Sequence, residues 1–251
     1  MRGVETAEHL ICLARDGRSL ADAAAEAGTD APVPTCPDWR IRDLLRHAGT
    51  VHRWATGFVT NGQLNPRRPE AEPDLDGDTL VEWYREAHAL LVAALAEAPA
   101  GLTCWTFLPA PTPLAFWARR QAHETAVHRV DAHSALGPVR DTAAPPLGTG
   151  LAADGIDELL TGFHGRERSR VRSDAPRVLR VRTTDTDDVW TVRISAGPPR
   201  TDRTAEGPAD CEMAGPAERL YLALWNRLPP GALTLTGDPE TARLWRERSA
   251  V

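Results

Sequence analysis

Four segments of roughly twenty residues, each with apolar side chains at helical spacing and each cut off by glycine or proline, fill the first 140 residues; helices packed on one another bury all four stripes. Residues 4–27 are alanine-rich and stop at Gly28. The second segment lies in TCPDWRIRDLLRHAGTVHRWATGFV, residues 35–59, where Ile41, Leu44, Leu45, Ala48, Val51, Ala55 and Phe58 form one stripe and Thr35, three residues ahead of Asp38, reads as a capping-box start. Residues 79–98 resume the spacing with Leu80, Trp83, Tyr84, Ala87, Leu91 and Leu95 and end before Pro99, and a fourth helix is expected from about residue 114 to 135. Helices of this length span about 30 Å, which predicts an up-and-down four-helix bundle over residues 1–140, an architecture that holds ligands on inward faces. The polar segment 61–77, with three prolines, is a long connection of the kind that often borders a site.

The second half has a different texture. After GPVRDTAAPPLG, a short helix is expected from Leu151 to Phe163, then two alternating segments, RVLRVRTT and DVWTVRIS, paired across a DTDD turn. DCEMAG and ALTLTG read as further strands around the helix AERLYLALWNRL. The fold class is therefore α+β in two domains, a bundle at 1–140 and a smaller α+β domain at 148–251, and a chain of 251 residues is long enough for both to bury cores.

Composition narrows the partners. With 29 basic against 35 acidic residues the net charge is -6, which offers no general attraction to nucleic acid or to an anionic membrane, and neither is expected as a partner. The arginines from Arg166 to Arg182 read as solvated strand faces. All the basic residues are arginine, a bias that fits a GC-rich bacterial genome. Cys12, Cys36, Cys104 and Cys211 are scattered and suggest neither a disulfide framework nor a zinc knuckle. No signal-peptide core or membrane-length apolar run is present, so a soluble protein of the reducing cytoplasm is expected.

The chemistry concentrates in QAHETAVHRVDAH, residues 121–133. Glu124 and His128 are four residues apart, about 40° around the helix, and share a face from which both could hold one metal ion. His123 lies about 140° from His128 and cannot join that set from the same helix. Asp131 is placed to hydrogen-bond a ligand imidazole from behind. An i, i+4 Glu/His pair is more often a solvated contact than a metal site, but Phe116, Trp117, Ala122, Ala126, Val127 and Val130 indicate a helix buried on much of its circumference. The second helix offers His47 and His52 as a third donor; both flank its apolar stripe, and periodicity does not choose between them. Trp54 and Trp117 are the tryptophans placed near such a site. His9, His88, His133 and His164 belong to no constellation.

CPDWRIRDLLRHAGTVHRWA, followed by HETAVHRVDAH and then AERLYLALWNRLPP, resembles the mycothiol-dependent maleylpyruvate isomerase family over nearly the whole chain. The resemblance implies a DinB-like four-helix bundle, a sterol-carrier-protein-like C-terminal domain, and a metal held by His47, Glu124 and His128. It selects His47 over His52 because the family's first ligand stands eight residues after the tryptophan that opens the second helix, here Trp39. It also implies zinc, or another divalent ion in its place, and mycothiol, the low-molecular-weight thiol of actinobacteria. The family's functional arginine at the end of the C-terminal helix corresponds to Arg227, as a catalytic and cofactor-binding residue. Two imidazoles and one carboxylate leave positions open, as in catalytic and not structural zinc sites. The activity implied is thiolate addition to an electrophilic small molecule, anionic in the case of maleylpyruvate, leading to cis-trans isomerisation or to thiol S-transfer. The competing expectations are a metal- or thiol-binding sensor or carrier without turnover, and a metal-free bundle in which the three side chains only bond one another.

Overall fold

A computed structural model describes residues 4–137 and 146–249, which form two compact units, residues 5–137 and residues 146–249. The Pro-bearing connection expected at 137–148 lies largely outside the described residues.

The first unit holds four long helices: α1 (Thr6–Ala27), α2 (Ile41–Asn61), α3 (Gly77–Glu97) and α4 (Pro113–Ser134). Their ends follow from local chemistry. Asp76 caps α3 by accepting from the Gly77 N–H at 2.8 Å, and Thr112 caps α4 by accepting from Ala115 at 3.1 Å with Pro113 in the first turn, where a missing N–H costs nothing. The start expected for α2 is corrected. The helix begins six residues after Thr35, with the Arg40 N–H donated to Asp43 at 2.8 Å, and the segment 33–39 is a turn. Pro37 explains the delay, because the residue before a proline is steered away from helical geometry.

α1 packs chiefly on α4 and α2 on α3. Leu20, Ile41, Leu44, Leu45, Leu80 and Tyr84 are fully buried in the shared core, and Phe58 stacks on Trp117 at 5.2 Å toward the other end of the bundle. Two helix-interior glycines make the close approaches possible: a Cβ at Gly17 would stand 2.1 Å from the His88 ring, and one at Gly49 would stand 2.1 Å from Trp83.

The second unit is a five-stranded sheet of order β3-β2-β1-β4-β5, with β1 (Arg177–Thr183), β2 (Val189–Ile194), β3 (Arg200–Asp202), β4 (Cys211–Gly215) and β5 (Thr234–Gly237). β1 and β2 form the expected hairpin, β1 and β4 run parallel, and the edge strands are antiparallel and short. Leu179, Val181, Trp190, Val192 and Met213 are buried. The helices of this unit are α5 (Thr149–Asp157), prolonged to Phe163 by a π-helical turn, α6 (Ala217–Leu224) and α7 (Pro239–Arg248). β3 and α7 were not expected from sequence. α7 does carry the signals, an Asp238 cap bonded to Glu240 N–H at 3.0 Å and Pro239 behind it. Neighbours neutralise much of the arginine-rich stretch: Arg177 pairs with Asp238 at 2.8 Å, Arg182 with Glu212 at 3.2 Å, and Arg172 donates to backbone carbonyls.

Gly17→Ala tests the helix packing by sign. In an open helix alanine stabilises by about 1 kcal/mol, whereas here a displaced His88 ring should make the variant about 1–3 kcal/mol less stable in urea unfolding. A stabilised variant would mean that α1 and α3 are not in this contact.

Candidate metal centre

α2 and α4 bring His47, Glu124 and His128 together, with donor atoms of all three within 4.8 Å of one another. Glu124 Oε1 stands 3.4 Å from His47 Nε2 and 3.4 Å from His128 Nε2. Charge-assisted hydrogen bonds are shorter, about 2.7–2.9 Å. The separations instead match the edge of a tetrahedron whose centre lies about 2.0–2.1 Å from each corner, about 3.4 Å, the geometry of zinc with nitrogen and oxygen ligands. The residues fit such an ion in donor type, number and spacing.

The surroundings hold each donor in place. Arg120, 2% exposed, donates to the other carboxylate oxygen, Glu124 Oε2, at 3.0 Å. Asp131, fully buried, faces His128 Nδ1 with Oδ2 at 2.9 Å and accepts on Oδ1 from the Thr35 hydroxyl at 2.7 Å. With Nδ1–H directed at Asp131, the neutral His128 imidazole presents its Nε2 lone pair toward Glu124 and His47. Trp39 lies against both imidazoles, with ring centroids 5.1 Å from His47 and 5.9 Å from His128. The turn before α2 thus contributes Thr35 and Trp39 to the site.

Burial alone would raise the pKa of Glu124, but the hydrogen bonds of His128 and His47 and the Arg120 charge hold it well below the usual carboxylate range. Burial would likewise lower that of His128, but Asp131 and Glu124 outweigh it and push the imidazole up to about 9. The site is therefore an anionic pocket that attracts positive charge at His128, whether a proton or a metal ion.

His52 goes elsewhere. Its Nε2 lies 2.9 Å from Thr125 Oγ1, and its ring is 5.5 Å from Tyr84 and 5.7 Å from His88 in the bundle interior. Burial, with His88 adding to it, pushes its pKa down to about 3, so it is neutral. Trp117 is fully buried among Phe58, Trp54 and Phe116, a packing position, whereas Trp54 is part-exposed and donates to the Arg67 carbonyl at 2.6 Å. His133 lies 2.8 Å from Ser19. In the second unit Arg227 follows α6, after Asn226 in the left-handed region at φ 63°; its backbone N–H bonds Leu222 O at 2.7 Å and its guanidinium donates to Trp225 O at 2.8 Å. Sequence reasoning missed Arg120 and Thr35. Arg120 had a signal: with Glu124 and His128 it continues one stripe at four-residue steps.

A four-helix bundle that brings a carboxylate and two imidazoles together from facing helices, joined in sequence to a small α+β unit, defines a two-domain α+β protein with its candidate site in the bundle. The profile described as the mycothiol maleylpyruvate isomerase N-terminal domain matches residues 11–133, and that of the MDMPI C-terminal domain matches residues 150–244. The chain belongs to the mycothiol-dependent maleylpyruvate isomerase family. Among solved structures it is similar to mycothiol-dependent maleylpyruvate isomerase, at 15% identity and TM-score 0.62, and to a histidine-to-alanine mutant of that isomerase, at 13% identity and TM-score 0.65; each match covers 94% of this chain and 96% of the other. No curated protein sequence matches it.

The neutral state of His52 gives a pH dependence with a definite sign. Unfolded, this histidine titrates near 6.5. Folded, it does so near 3, so the stability it contributes is complete above pH 6.5 and is lost as the pH falls toward 3. Between pH 6.5 and 4 the metal-free protein should lose about 3 kcal/mol on this account. In urea titrations His52→Asn should be flatter than wild type by one proton per molecule, and parallel slopes would show that His52 protonates without leaving the core.

Proposed function

We propose that the protein is a zinc enzyme that uses mycothiol to act on an electrophilic small molecule, by the isomerisation for which its structural neighbours are named or by thiol S-transfer. The observation that carries this reading is the pair of 3.4 Å edges between Glu124 and the two imidazoles, backed by an Asp131 contact on the far nitrogen of His128. When bound, the metal supplies a Lewis acid that keeps a thiol deprotonated near neutral pH, and mycothiol supplies the thiol.

The chain's own residues do the holding. His47 and His128 each offer one imidazole nitrogen and Glu124 a single oxygen, because Arg120 occupies the other. Fixing Oε2 favours one-oxygen coordination and leaves room for ligands from solution. Asp131 keeps the His128 proton on Nδ1, so that nitrogen competes neither for the metal nor for a substrate proton. Trp39 covers the imidazoles on one side, which restricts water and gives an incoming ligand an apolar surface. Arg227 is the cation assigned to a carboxylate of the substrate, a role suited to the planar guanidinium fork. Cytoplasmic location follows from the use of a cytoplasmic thiol, and among the described residues no helix is long and apolar enough to cross a membrane.

Elemental analysis of wild type beside His47→Ala, followed by mycothiol titration, tests the reading. About one metal per chain that is absent from the variant, with thiol binding that requires the metal, is expected. A wild type that binds neither zinc nor mycothiol would reduce the three side chains to a polar helix contact. Glu124→Ala and His128→Ala should lose metal and activity while keeping their helical signal, whereas Asp131→Asn should weaken metal binding about 10–100-fold. Arg227→Ala should keep its metal and show a higher KM or lower kcat for an anionic substrate; unaltered kinetics would remove Arg227 from the site.

A further inference from the structure

Within the bundle, a cavity of about 500 Å3 lies between α2, α3 and the connection at 62–76. Trp54 and Trp83 line it, Thr50 and Arg53 face it from α2, and Arg67 and Arg68 belong to the connection. Three arginines line it; Arg53 pairs with Glu86 at 2.6 Å and Arg67 stands 3.7 Å from the lining carboxylate of Glu70, so the arginines outnumber the carboxylates beside them by one.

Two of these groups have unused donors. Thr50 is 8% exposed, and its hydroxyl has no hydrogen-bond partner among the described residues. Threonines on helices commonly bond back to the carbonyl four residues earlier, and Thr56 and Thr60 on the same helix do so, at 2.8 and 2.9 Å; Thr50 does not. Arg53 reaches Glu86 with Nη2 at 2.6 Å and lies over the Trp83 ring, 5.1 Å from its centroid, while its buried Nε is unpartnered among the described residues. Buried polar atoms are rarely left open, and open donors on an arginine-lined wall call for an acceptor from outside.

We propose that this cavity is a binding site for a small organic carboxylate with a flat apolar body, its carboxylate on Arg53 and Thr50 and its body against Trp54 and Trp83. Guanidinium forks match carboxylates bidentately, and tryptophan faces give planar groups a large contact at little entropy cost. The volume lies within the range of about 300–1,000 Å3 typical of small-molecule sites. Thr50 follows His47 by three residues, so the carboxylate would sit within about one helical turn of the metal donors along α2. None of the proposed contacts uses those donors, and the site does not depend on the metal reading.

Calorimetric titration of the full chain with 2-naphthoate tests it, with neutral 2-naphthylmethanol as the control. Saturable binding of one naphthoate, at least about tenfold tighter than the alcohol, is expected, with Arg53→Gln and Thr50→Val each weakening it about tenfold. His47→Ala should bind it within about twofold of wild type. Should Arg53→Gln fail to fold for want of its Glu86 pair, Thr50→Val decides, since it removes a hydroxyl with no partner and keeps the side-chain shape. No binding of naphthoate, equal binding of the alcohol, or undiminished binding by Thr50→Val would overturn the proposal. Loss of binding in His47→Ala would also overturn it, by placing the carboxylate on the metal donors.

Discussion

The two oxygens of Glu124 face different partners, and the rest of the site depends on that division. Oε1 faces two imidazoles, one from each of two helices, while Oε2 is held by a guanidinium that is itself almost wholly buried. A carboxylate in a helical interior is costly unless paired on both sides. Here the pairing sets the rotation of α4, because the stripe of Arg120, Glu124 and His128 has to face α2. Burial elsewhere on α4 is almost indifferent to rotation: Phe116, Trp117, Ala122, Ala126 and Val127 are all buried and surround the axis. Polar pairing, more than an apolar face, therefore orients this helix.

That property explains what could be read from the sequence. α2 has a strong stripe and a clear polar side, so its existence was plain, as were the β1–β2 hairpin and the helix from Leu151. The choice between His47 and His52 was not, because five residues separate them by about 140° and both border the stripe. Which neighbour each meets is decided by tertiary packing: His47 meets α4 at Glu124 and His128, and His52 meets Thr125 and His88. Residue chemistry alone left that choice open, and family resemblance made it. Thr35 was misread because its spacing to Asp38 imitates a cap; the oxygen it bonds is Asp131, 96 positions away, which no local pattern encodes. α7 was missed because Arg243, Arg246 and Arg248 obscure a short stripe built on Ala242 and Trp245, although Asp238 and Pro239 announce its start.

The second unit relies on a different economy of interactions. Its central strands β1 and β4 run parallel, and their inward residues are apolar or small, while the outward arginines find carboxylates on neighbouring elements. Part of a locally basic run is thus paired or hydrogen-bonded once folded, which is why arginine density alone is a poor guide to anion binding. Beside α2, Arg53 likewise pairs with a carboxylate, Glu86, but its buried Nε stands at the wall of a cavity.

The turn before α2 carries Trp39 over the imidazoles and fastens itself to Asp131 through Thr35. It is a strap rather than a passive entry to the helix. Because Asp131 serves His128 with one oxygen and Thr35 with the other, any change of charge at the imidazole alters how firmly the strap is tied. Backbone amide exchange in residues 33–39 would then report the charge carried by an imidazole far away in sequence, giving a change at His128 a kinetic signature in a segment that does not contain it.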